Sequence, residues 1–134
     1  MADEIEDTTP DETEKKSDRL TLSLTRRRVE VDLEGEDGGV ATYTLREMTG
    51  TERDQYLADM SLRTKWDKGV PKGLSNYKGI QSSLISRCLF DPNGRRVEDA
   101  TIQKWPASVQ TELFKQCQKM NGLGDDSEAG SKNG

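Results

Sequence analysis

The chain has 134 residues, of which 31% are hydrophobic, 34% charged and only 5% aromatic. That length allows one domain with a modest core, and that composition leaves part of the chain with little to bury. Net charge is −5 and histidine is absent, which removes the commonest general base, the usual serine or cysteine triad and most zinc sites together.

Residues 1–18 carry eight acids against two lysines and no periodic apolar positions, so they are expected to form a disordered acidic arm. Beyond them, Leu20, Leu22 and Leu24 alternate with polar residues. After Arg26, Arg27 and Arg28 the alternation resumes at Val29, Val31 and Leu33, the period-two pattern of a half-buried strand. Glu34–Gly39 supplies turn residues and Val40–Glu47 returns with β-branched and aromatic side chains. A β-hairpin over about 27–46 is predicted. The three arginines lack aromatic stacking neighbours and sit beside Glu30 and Asp32, a weak signal for nucleic acid and a better one for a charged, protected strand edge.

Thr49 and Glu52 stand in the spacing of a capping box, so a helix is predicted over about 50–66, with Tyr56, Leu57, Met60 and Trp66 at helical spacing. Asp67–Gly73, with two glycines and a proline, reads as a break or mobile loop. A second helix, about 75–90, starts at a Ser75 cap and lines up Tyr77, Ile80, Leu84, Ile85, Cys88 and Leu89 on one face. The glycine spacing in Asp91–Ile102 fails that of an EF-hand, so Asp-Pro-Asn-Gly is a turn and not a calcium loop. A short turn capped by Asp99 leads to Trp105 and Pro106, and a last helix over about 106–121 aligns Val109, Leu113, Cys117 and Met120. Gly122 is placed to close it in the left-handed conformation, and residues 124–134 form a second acidic tail, again expected to be disordered. The predicted fold is α+β, mainly α: an N-terminal hairpin, three main helices over 19–123, and acidic tails.

Cys88 and Cys117 belong to no C-x-x-C pair and read as buried apolar residues. The chain shows no apolar run of roughly 18 residues and no signal-peptide pattern, so a cytosolic protein is expected. Gly35, Gly38 and Gly39 lie in an acidic segment that would repel phosphate. Taken alone, these features describe a small binding module with no catalytic apparatus, no metal site and no cofactor.

The order of the pieces resembles the tail assembly chaperones of long-tailed bacteriophages. A hairpin runs into TLREMTGTERDQYL; GIQSSLISRCLFDPNGRR follows a loop; and WPASVQTELFKQCQKMNGL brings the Trp105-Pro106 step and the Asn121-Gly122 ending, a likeness covering about residues 29–123. The resemblance implies a protein of the host-cell cytoplasm that binds the tape measure protein, keeps it soluble, helps recruit major tail protein, and is absent from the mature virion. It leaves self-association open. Candidate partner-binding residues are Tyr56, Met60, Trp66, Tyr77 and Trp105, each with ordinary core packing as its alternative. Two other functions compete: a structural tail or head-tail completion protein, and a small nucleic-acid-binding regulator.

Overall fold

The computed structural model describes residues 19–123, so both acidic tails lie outside the described residues. Strands β1 (Arg28–Glu34) and β2 (Val40–Arg46) form the predicted hairpin, with Val29 opposite Leu45, Val31 opposite Tyr43 and Leu33 opposite Ala41. That register puts all six on one face, because alternate side chains of a strand share a side. The turn closes through Gly35 N–H donating to the Gly39 carbonyl at 2.7 Å, with Gly38 at φ 88°, where a β-carbon would be strained.

The strand signal at Leu20, Leu22 and Leu24 is not realised; these side chains are exposed and the segment joins no sheet of the described residues. Arg27 still pairs with the chain beyond β2, its carbonyl accepting from Glu47 N–H at 2.8 Å. Upstream of it no strand of the described residues lies alongside, and alternation alone does not make one.

Helix α1 (Gly50–Arg63) opens on the predicted capping box: Thr49 Oγ1 accepts from Glu52 N–H at 3.2 Å, and Glu52 Oε1 accepts from Thr49 N–H at 2.9 Å. It stops three residues short of the predicted end. Thr64–Asp67 forms strand β3, which pairs antiparallel with β4 (Val70–Leu74). Lys68 at φ 55° and Gly69 at φ 81° make the two-residue turn between them, both central residues being left-handed as a type I′ hairpin requires.

This second hairpin overturns the mainly α prediction. The protein is about 40% helical and 25% strand, with five strands in two sheets and four helices among the described residues. The segment predicted as the end of a helix and a mobile loop is a hairpin, because β-branched Thr64 and aromatic Trp66 favour a strand once the turn residues can reverse the chain.

Helix α2 (Ile80–Cys88) begins later than predicted. Ser75 does not cap it; its hydroxyl donates to the Arg63 carbonyl at 3.0 Å, and Gly79, at φ 69°, turns the chain into the helix instead. At its far end Leu89–Phe90 leaves the helix as β5 and joins β2, giving sheet order β1-β2-β5. The Asp91 corner follows. One oxygen of Asp91 accepts from Asn93 N–H at 2.8 Å and Arg95 N–H at 2.9 Å, so this carboxylate holds a turn. Helices α3 (Asp99–Gln103) and α4 (Ala107–Met120) complete the fold. Leu123 N–H reaches the Gln118 carbonyl and Gly122 N–H that of Lys119, the paired bonds of a Schellman close.

The core lies between the sheet, α1, α2 and α4. Leu45, Leu84, Ile85, Cys88, Leu89, Ile102 and Cys117 are completely inaccessible, with Tyr56, Leu113 and Met120 close to it. Both cysteines are buried free thiols.

Candidate partner-binding surface

The five candidate residues divide by environment. Tyr56 is buried in the core, where desolvation pushes its hydroxyl above the usual range and Arg87 lies 5.9 Å from the ring centre. Met60 packs partly buried against the same core. Both are therefore supports beneath a surface. Trp105 is half-buried and meets Tyr43 edge to face, ring centres 6.0 Å apart. Trp66 and Tyr77 stand out in solvent, 55% and 66% exposed.

For Tyr77 the exposure contradicts its place on the helical stripe. Helix α2 starts at Ile80, so Tyr77 lies outside the periodicity that would have turned it inward.

Trp66 and Tyr77 share a supporting frame. Trp66 Nε1 donates to the Ser61 carbonyl at 3.4 Å, returning the indole toward the end of α1. Arg63 ties the end of α1 to the segment that follows the second hairpin: its Nε donates to Asp59 Oδ2 at 3.0 Å, and its Nη1 to the Lys78 carbonyl at 2.6 Å. On this helix–hairpin unit Leu62 is 84% exposed and Val70 50% exposed. Helical spacing leaves Leu62 off the apolar stripe, which is the signal for its exposure; the glycines and proline around Val70 read as a loop, and the Lys68-Gly69 turn is the signal that finds the hairpin there.

A second apolar feature lies between the first hairpin and the start of α4. Leu33, Ala41 and Tyr43 form one wall and Trp105, Pro106 and Val109 the other, around a groove of about 480 Å³. No sequence periodicity marks it, since its walls come from separate elements.

Away from these surfaces, several charged residues are engaged in the fold. Burial pushes the Glu52 carboxyl up, yet the Thr49 N–H together with Arg96 and Arg26 holds it below its ordinary value. Arg26 Nε donates to the Glu47 carbonyl at 2.7 Å and Arg27 Nη1 to that of Met120 at 3.0 Å. Two members of the arginine run thus bind their own domain. The buried Cys88 and Cys117 thiols interact; contact with Cys88 and burial push Cys117 well above the thiol range. Among the described residues no group of three or more acids and cysteines is arranged to hold a metal ion, and no helix is long and apolar enough to cross a membrane.

No family model matches the chain, and no curated protein matches it. Among solved structures the chain is similar to the tail assembly chaperone of bacteriophage HK97, at 15% identity and a TM-score of 0.48, over 71% of this chain and 85% of that one.

Proposed function

We propose that this protein is a tail assembly chaperone that works without catalysis or cofactor in the cytoplasm of the infected cell. It binds the tape measure protein, keeps that client soluble, helps recruit major tail protein subunits, and is left out of the mature virion. The sequence resemblance over residues 29–123 supports this reading. The observation that carries it is the group of exposed apolar residues Leu62, Trp66 and Val70 on one helix–hairpin unit, with exposed Tyr77 on the segment that follows it. Single exposed apolar residues are ordinary, but several large ones on one supporting unit mark a surface that another protein covers. Trp and Tyr are the residue types that most often anchor such contacts.

The test is co-expression with the tape measure protein. Wild-type chain is expected to keep the client soluble and to co-purify with it, while W66A/Y77A loses both without a change in melting temperature. A client that precipitates regardless, with this protein recovered in purified particles, would replace the reading with that of a structural virion component.

A further inference from the structure

The groove between the first hairpin and α4 has a polarity as well as an apolar lining. Its hairpin rim carries Glu34 and Glu36, and Lys104 stands on its helix side. Neither glutamate forms an ion pair with another described residue, and neither does Lys104. The apolar lining is the two walls, Leu33, Ala41 and Tyr43 against Trp105, Pro106 and Val109, with the edge-to-face pair of Tyr43 and Trp105 fixing one ring against the other. A hollow of about 480 Å³ is the size of a small-molecule site and has room for a large side chain together with its neighbours.

We infer that this groove is a specificity pocket that takes an apolar anchor residue of a partner segment with a lysine or arginine beside it. The anchor lies between the walls against Trp105 and Tyr43, and its basic neighbour meets Glu34 and Glu36. Charge complementarity decides the occupant: an acidic neighbour on the hairpin side would face two carboxylates that no described residue pairs with a cation. Lys104 sets the direction, because a partner docked the other way round would bring its basic residue against a lysine. The inference rests on the proposed client-binding function and names the kind of client segment that one part of the surface selects.

The probes are two synthetic leucine-rich peptides that differ only in carrying lysines or glutamates around a central leucine. Trp66 and Trp105 are the two tryptophans of the chain, so the full-length W66F variant reports on Trp105 alone. The lysine-flanked peptide is expected to shift Trp105 emission to the blue, saturably, and to bind about tenfold more tightly than the glutamate-flanked one at low salt. Introducing E34K/E36K should reverse that preference. Ala41→Phe, which fills the groove from the sheet side, should abolish binding while a melting curve checks that the fold persists.

Equal binding of both peptides, binding that survives Ala41→Phe in a folded chain, or no saturable response to either peptide would overturn the inference. Co-expression separates this failure from that of the function itself. A client kept soluble by wild type and equally by E34K/E36K removes the pocket and leaves the chaperone. A client insoluble even with wild type removes the chaperone reading first.

Discussion

Glu52 Oε2 lies 2.8 Å from Arg96 Nη2, joining the first turn of α1 to the segment that follows the Asp91 corner, where Arg96 bridges back to Phe90. The same carboxylate caps its helix at Thr49 and lies 3.4 Å from Arg26. Replacing it as Glu52→Gln keeps the reach-back to Thr49 but removes the charge from both arginines. The expected loss is about 1 kcal/mol at neutral pH, read from the shift of a urea midpoint. A sign for acid follows from the depressed carboxyl: its stabilisation is complete above the ordinary value of 4.5 and is lost as pH falls through the lower folded value. Glu52→Gln should flatten that part of the stability profile, and a profile identical to wild type would rule out this role.

The second hairpin turns on Lys68, a residue with a β-carbon held at φ 55°. Lys68→Asn, a type that tolerates this conformation, should stabilise the hairpin by about 0.5 kcal/mol. Gly69, at φ 81°, has open space where a β-carbon would go, so Gly69→Ala costs backbone strain alone, about 1 kcal/mol. Hydrogen exchange of the β3 and β4 amides reads both effects. Equal protection in all three chains would show that the turn does not set hairpin stability.

Asn121 closes α4 by using both ends of its amide. Its oxygen accepts from Met48 N–H at 2.8 Å and its Nδ2 donates to the Cys117 carbonyl at 2.8 Å. Asn121→Ala would leave the N–H of buried Met48 unpaired, at a cost of about 1–3 kcal/mol. Thermal melting should show the loss; an unchanged melting temperature would mean that this amide finds another acceptor.

The tryptophans give an independent check on the two surfaces. In a W105F chain the remaining Trp66 should emit to the red and be quenched readily by acrylamide; in a W66F chain Trp105 should be bluer and better protected. Trp66→Phe is expected to change stability by no more than about 0.5 kcal/mol. Trp105→Ala should lose more, including about 0.5–1.5 kcal/mol from its pairing with Tyr43.

Features encoded within a few residues are legible in the sequence alone. The Thr49–Glu52 box, the Leu113–Cys117–Met120 stripe and the Gly122 close all depend on spacing inside one helix and its ends. The second hairpin is obscured because Pro71 and Gly73 interrupt its alternation and a lysine occupies a left-handed turn position. With that turn hidden, Trp66 falls at the spacing of a helix it does not belong to. Tyr77 falls on an inward stripe only if the helix is continued back past Gly79, where the chain changes direction. The groove is illegible for a different reason: Tyr43 and Trp105 meet only after the hairpin, α2 and α4 have packed.

Arg27 and Met120 are 93 positions apart, yet the side chain of one holds the carbonyl of the other, and Met48 is tied to Asn121 beside them. Synthesis runs from Arg27 toward Met120, so the two sides of this closure are made at opposite ends of the domain. Both hairpins and α1 are exposed to the cell before the residues that secure the first of them have been made. The domain is therefore closed by the last residues of α4, and until Asn121 is in place Met48 N–H has no partner from that end of the chain.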